Sequence, residues 1–351
     1  LHFGGKPDEE TFGKPTWFDH VASEVEAVTN RVALADLSVF SKFEIEGDVE
    51  TFLSNLGLNR PPKPGRIGLT HSATTAGGVA SEFTVSRLAQ DRAFLTSAAA
   101  SRQMDWDVLE ATEGAVTLRD VTEDRGVIGL MGPKARQVMS ACCADPLDFP
   151  WLSCRELTVA GEAVVALRVS YLGEYGWELH MPLAAMKPVY AALFEAGEPL
   201  GIGHYGAYAA NAMRLEKGYR AWGSDLTTER SPFEAGIGVF ARNEGHLLMA
   251  KVQDRPNDWD MVLLELDSTV AAYPYYAHGL WQGERSVGVV TSAAFGHRTG
   301  KSLALAYLRD KTARTNLEVD VLGQRVSATI LDRPPFDPDN ERLRFGGETH
   351  D

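Results

Sequence analysis

The stretch Ser170-Tyr-Leu-Gly-Glu-Tyr-Gly-Trp-Glu-Leu-His180 decides how this chain is read. Before it, Ala163-Val-Val-Ala-Leu-Arg-Val169 is an apolar run that predicts a buried strand. After it, Trp177-Glu-Leu-His-Met181 alternates and predicts a second strand. Gly173 and Gly176 lie between the two, so the expected link is a tight hairpin turn. Tyr171 and Glu178 would then stand near the two ends of one hairpin. A flat ring and an acceptor fork so placed can meet one planar ligand. They can equally be an edge tyrosine and a solvated glutamate.

Toward the N-terminus, residues 1–20 read as an arm anchored by the aromatics of Pro15-Thr-Trp-Phe18. Apolar spacing predicts helices over 24–32, 49–56, 98–111 and 134–142, the last with Pro133 near its start. Strands are expected over 39–45, 82–88, 93–96, 115–118 and 127–130, with His71-Ser-Ala-Thr-Thr-Ala-Gly-Gly78 a small polar stretch leading into the second of them. Past the hairpin, helices are expected over 183–196 and 204–218. Ser231-Pro-Phe-Glu-Ala235 has the N-cap, proline and acidic residue of a helix start. Beyond Gly245 the texture changes to short β-like runs at 261–266, 287–291, 303–308, 317–321 and 326–331. The expectation is α+β: a core of two interleaved subdomains over 1–245, then an all-β barrel or sandwich over 246–351. No glycine-rich nucleotide fingerprint interrupts the alternation, which argues against a dinucleotide fold.

A chain of 351 residues is long for one core, and 44% apolar with 23% charged residues is the balance of a globular protein. The net charge of −14 argues against nucleic acid, and no apolar run reaches the roughly 18 residues of a membrane span. The three cysteines, Cys142, Cys143 and Cys154, are odd in number and lack a CxxC. The reading is three small buried groups in a reducing, cytoplasmic compartment, with no metal site. The sequence opens Leu1-His-Phe-Gly-Gly without Met, so a trimmed chain or a part of a longer polypeptide is expected.

Five stretches together resemble one family. They are Asp36-Leu-Ser-Val-Phe-Ser-Lys42, Met131-Gly-Pro133, Tyr171-Leu-Gly-Glu-Tyr-Gly-Trp-Glu178, Arg214-Leu-Glu-Lys-Gly-Tyr-Arg-Ala-Trp-Gly223 with Asp225, and Val290-Thr-Ser-Ala-Ala-Phe-Gly-His297. The likeness is to the aminomethyltransferase family of the glycine cleavage system, nearest the folate-binding C-terminal regions of dimethylglycine and sarcosine dehydrogenases. It runs from about residue 10 to about residue 345. It implies an aminomethyltransferase-like fold of three domains around a cavity for tetrahydrofolate. It further implies that Glu178 grips the pterin, whose ring N–H and exocyclic amine suit a carboxylate fork. Tyr171, Arg214, Trp222 and Phe40 would line the cofactor site, and Tyr219 and His297 the substrate side. Glu82 matches an acidic catalytic residue that is ordinarily Asp, one methylene shorter.

The chain departs from the family pattern around that residue. Leu69 stands where an aromatic is usual, and Ala73-Thr74 where a bulky apolar residue and Asn are. Ala210 replaces an arginine, and Leu247-Leu-Met249 an Ile-Gly-Arg stretch. Arg214, Lys217, Arg220 and Arg242 can attract a folate glutamate tail, or be ion-paired with Glu216, Asp225 and Glu229. Three functional readings follow. The first is a tetrahydrofolate-dependent transferase or demethylase acting on a small methylated donor. The second is a formaldehyde-trapping module beside a flavin- or metal-containing oxidoreductase domain or subunit. The third is a non-catalytic member of the family.

Overall fold

The computed structural model describes residues 13–267 and 274–345. Most of the expected arm lies outside these residues. Its aromatics do not: Trp17 stacks on Tyr208 at 4.3 Å, and Phe18 opens the helix Phe18–Asn30.

Eleven strands precede residue 205: β1 (Ala33–Asp36), β2 (Ser41–Gly47), β3 (Ile67–Ala73), β4 (Val79–Arg87), β5 (Arg92–Ser97), β6 (Val116–Asp120), β7 (Arg125–Met131), β8 (Cys154–Val159), β9 (Glu162–Leu167), β10 (Gly176–Pro182) and β11 (Gly203–His204). They form two sheets, ordered β11-β1-β7-β10-β9-β8 and β3-β4-β5-β2-β6. β1 lies in the first sheet, β2–β6 make up the second, and β7–β11 return to the first, so the second sheet is inserted within the chain of the first. Each sheet buries one face under helices. Trp177, Leu179 and Met181 of β10 pack with Val138, Met139, Val189 and Leu193 from the helices Ala135–Cys142 and Met186–Gly197. Phe83 and Val85 of β4 and Leu95 of β5 pack with Phe52, Leu53 and Leu109 from Val49–Leu56 and Arg102–Ala111.

The period of two along a strand fixes what the opposite faces carry. Glu178 and His180 point away from the β10 core, Glu82 and Thr84 away from the β4 core, and Phe94 away from the β5 core. Phe94 meets His180 edge-on at 5.1 Å, so the two helix-free faces are turned toward each other there. Both predicted carboxylates therefore stand on facing sides of two sheets.

The remaining strands are β12 (Asp260–Leu266), β13 (Gly279–Gln282), β14 (Arg285–Gly296), β15 (Lys301–Leu308), β16 (Leu317–Val321) and β17 (Gln324–Leu331). They close in the order β12-β15-β14-β13-β16-β17. Closure resolves the choice between barrel and sandwich in favour of a barrel, which leaves no edge strand open. Val262, Leu264, Leu280, Val290, Ala306 and Val319 fill it. Outward residues Met261, Leu263, Leu305 and Tyr307 pack on Ala212 and Leu215 of the helix Ala207–Glu216.

Two local expectations are corrected, and a stretch given no element is placed. Strands β9 and β10 do pair antiparallel, Glu178 opposite Leu167, but Arg168–Tyr175 between them is a wide loop, not a tight turn. Its base is held by buried Arg168, whose guanidinium lies 3.8 Å from the Tyr175 ring and donates to the carbonyls of Gly176 and Leu343. The polar stretch at 71–78 begins as strand β3, because Thr70, His71 and Ser72 are all buried on a covered sheet. Ser231 and Glu234 do form a reciprocal capping box, yet no helix follows. Gly236, at φ +67°, ends the turn at once.

Candidate functional site

Glu178 sits mid-strand on β10 with its side chain only 17% exposed. Among the described residues no donor lies within hydrogen-bond distance of its carboxylate; His180 Nε2 is 3.6 Å away. Both ring nitrogens of His180 are buried and unpartnered, and burial holds its pKa below the usual histidine value. The strand partner of Glu178 is Gly129 of β7. A Cβ there would come within 2.4 Å of the Tyr205 hydroxyl, so glycine is what lets Tyr205 approach this face. The result is a two-oxygen acceptor, mostly buried, with its hydrogen-bonding capacity unspent.

Glu82 is treated differently. It lies directly opposite His71 in the β3–β4 ladder, and His71 Nε2 is 2.8 Å from its Oε2. His71 is buried, while the Glu82 side chain is 24% exposed. The strands are joined through Gly77-Gly78, beside a register shift between Ser72 and Ala73. A Cβ on Gly78 would lie 1.9 Å from the Thr228 carbonyl oxygen, so the turn passes directly under that loop.

Tyr171 rides the wide loop. Its hydroxyl donates to the Arg220 carbonyl at 3.0 Å, and its ring stacks on Tyr219 at 6.1 Å and 21°. Two fifths of the residue is exposed. Burial of the hydroxyl end raises its pKa; Arg214 opposes the shift, while Asp225 and Glu82 add to it. Glu82 is thus close enough for its charge to act on the Tyr171 hydroxyl. Burial likewise pushes the Tyr219 hydroxyl up to about 12.

Arg214 is fully committed inside the protein. It donates to Asn211 Oδ1, the Tyr219 carbonyl and Asp225 Oδ2, the last at 2.6 Å. Asp225 also accepts from the Ala221 amide, Thr291 Oγ1 and Ser292 Oγ. This buried hub shapes the loop from Tyr219 to Asp225 and ties it to β14. Trp222 is half-buried against the apolar cluster below the barrel. Lys217 and Arg220 are spent as well, on Asp337 and Asn340 and on the Gly218 and Ala235 carbonyls. A second buried network joins Arg298 to Glu216 and Glu174, and Glu174 to Arg342. Of the ion pairs expected here, Arg214 with Asp225 forms; Lys217 pairs with Asp337 instead, and Arg220 donates to backbone carbonyls.

Phe40, 36% exposed, sits at the mouth of β2. Buried Lys42 Nζ donates to the Ser38 and Phe40 carbonyls, both at 2.7 Å, and so fixes that corner. His297 lies instead in an aromatic cluster with Phe18 and Phe295, where the helix Phe18–Asn30 meets the barrel. Burial pulls its pKa down to about 4. The structure therefore brings Glu82, Tyr171, Tyr219 and Arg214 into one neighbourhood, sets Glu178 on the facing sheet, and places His297 at the junction. Sequence reasoning missed His71 and His180, and it offered Asp225 as an ion-pair partner without its further contacts to Thr291 and Ser292. Pairing residues 71 and 82 across the Gly77-Gly78 turn would have found the first. A shallow surface pocket of about 520 Å³ on the barrel, lined in part by Asn257, Arg285 and Lys311, contains none of the predicted residues.

Residues 3–244 match the GCVT N-terminal domain and 260–337 the glycine cleavage T-protein C-terminal barrel domain. The chain is 33% identical to the mitochondrial dimethylglycine dehydrogenase of Homo sapiens, over 99% of this chain and 42% of that protein. It spans less than half the length of that relative. It is 29% identical to an aminomethyltransferase of Shouchella clausii, over 91% of this chain and 90% of that one. The crystal structure of the glycine cleavage system aminomethyltransferase T from Bartonella henselae superposes with a TM-score of 0.81 at 20% identity, covering 95% of each chain. That likeness concerns the fold.

Proposed function

We propose that this chain, which belongs to the glycine cleavage T-protein (GCVT) family, binds tetrahydrofolate and passes to it a one-carbon unit from a small donor, a methyl group from a methylated donor or a methylene group from one already at the formaldehyde oxidation level. The observation that carries the reading is the unspent carboxylate of Glu178. A mostly buried acceptor fork without a protein donor is left open to a ligand, and it fits a flat heterocycle that offers two adjacent N–H groups. Glu178 would accept both as parallel charge-assisted hydrogen bonds. Tyr171 and Tyr219 would wall the site, and Phe40 would close one edge. The reduced folate, when bound, supplies a nucleophilic ring nitrogen. Glu82 stands ready to accept the proton released at transfer, on the oxygen that His71 does not hold.

Calorimetric titration with tetrahydrofolate tests this. Binding in the micromolar range is expected, weakened about a hundredfold in Glu178→Gln, whose amide presents one donor where an acceptor is needed. Absence of binding by the wild-type chain would overturn the proposal.

One observation favours a second reading of the donor. The chain corresponds to only 42% of the human dimethylglycine dehydrogenase that it matches over 99% of its own length. We propose that the one-carbon unit arrives as formaldehyde or an iminium made by a neighbouring flavin- or metal-containing oxidising domain or subunit. Incubation with tetrahydrofolate and either labelled formaldehyde or an intact N-methylated amine separates the two. Label should enter the folate from formaldehyde; entry from the intact amine alone refutes the second reading.

A further inference from the structure

Glu82 is the one carboxylate of the site gripped on one oxygen only. His71 Nε2 meets Oε2 at 2.8 Å, and among the described residues nothing donates to Oε1. An ionised carboxylate only accepts, so Nε2 must carry the hydrogen of that contact. The imidazole is buried on a covered strand and packed 6.0 Å from the Phe240 ring, so it has little freedom to follow a moving partner. The Glu82 side chain reaches solvent and has three rotatable bonds. An anchored donor against a mobile acceptor selects one rotamer. It also determines which oxygen is presented to the space shared with Tyr171.

We propose that His71 is a positioning residue that holds Glu82 by Oε2 and so aims Oε1 at the group being transferred. The proposal rests on the functional reading above and adds a residue to it. His71 touches neither cofactor nor donor; it acts through Glu82. The titratable groups near the pair are the Tyr171 hydroxyl and Asp105, and the Glu82 charge raises the pKa of both. Neither is within hydrogen-bond distance of it.

The test begins with the folate-free protein. Nitrogen-15 NMR of the His71 side chain, assigned by its loss in His71→Gln, should show a protonated Nε2 whose shift moves in Glu82→Ala. A bare Nε2, or a shift indifferent to Glu82→Ala, would overturn the proposal. Kinetics follow, as formation of the methylene adduct from formaldehyde and tetrahydrofolate above the uncatalysed rate. His71→Leu keeps the volume and removes the donor. It should lower kcat about thirtyfold, within the range that misplacement of a reacting group produces, and leave tetrahydrofolate affinity within twofold. His71→Gln restores a donor and should recover most of the loss. A His71→Leu rate within twofold of wild type, with Glu82→Gln inactive, sinks the positioning role alone. If the wild-type chain does not bind tetrahydrofolate, it is the functional reading that fails.

Discussion

Asp225, fully buried, and Glu178, mostly buried, are two carboxylates of one chain in opposite states of satisfaction. Asp225 accepts from Arg214, the Ala221 amide, Thr291 and Ser292, at 2.5–2.9 Å. Among the described residues Glu178 has no such partner, only a histidine at 3.6 Å. The first oxygen pair is consumed in holding a loop against the barrel. The second is kept in reserve behind Tyr205 and His180. Glu82, with one oxygen held and one free, stands between them. Residue type does not separate scaffold from site in this protein; the count of donors does.

The largest effect expected from breaking that contrast is on stability. Asp225→Asn leaves Arg214 charged and buried without its counter-ion, which should cost about 3–5 kcal/mol, measured by urea unfolding. Glu178→Ala should do the reverse. It should weaken tetrahydrofolate about a hundredfold or more by calorimetry, with unfolding free energy changed by less than about 1 kcal/mol, since no protein hydrogen bond is lost. A Glu178→Ala protein as unstable as Asp225→Asn would erase the distinction between the two carboxylates.

Burial without donors can be read from the histidines. The native pKa of His297 is about 4, below the ordinary 6.5, because burial disfavours its charge; Asp19 opposes the shift and Lys14 adds to it. The unfolded chain therefore binds the proton first as pH falls. Stability should be full above about pH 6.5 and decline toward pH 4, by roughly 3 kcal/mol at most. The lowered pKa of His180 acts in the same direction. His297→Phe should flatten the melting temperature over that window; an unchanged slope would reassign it. The smallest effect expected is at Phe40, exposed and held only through its backbone. Phe40→Ala should weaken tetrahydrofolate by no more than about tenfold, in line with partial loss of one aromatic contact.

Legibility in the sequence followed the same division. The barrel strands and the β4–β5 pair were readable because their apolar alternation is local, although β13 (Gly279–Gln282) is too short and mixed to register. The helix Val49–Leu56 was readable for its periodicity, and Asp48 caps it. The link between β9 and β10 was not. Two glycines suggest a tight turn, whereas the loop is opened by the ion pairs of Glu174 with Arg298 and Arg342, residues far along the chain. The standing of Arg214 was equally hidden: an arginine beside a loop reads as a ligand or as an ion pair until Asp225 is seen under it. His71 went unnoticed because a polar run with two glycines reads as loop, and only the ladder places it opposite Glu82.

The contacts of Arg168 with the Leu343 and Arg344 carbonyls have a consequence for the order of synthesis. A ribosome that has released the hairpin region still has about 170 residues to make before those carbonyls exist. Until then the base of the loop bearing Tyr171 lacks its clamp, as does Glu174 without Arg298 and Arg342. Closing such distant contacts is slow and comes late in folding. A nascent chain should therefore keep the Tyr171 loop unsettled until residue 344 has been made and has docked.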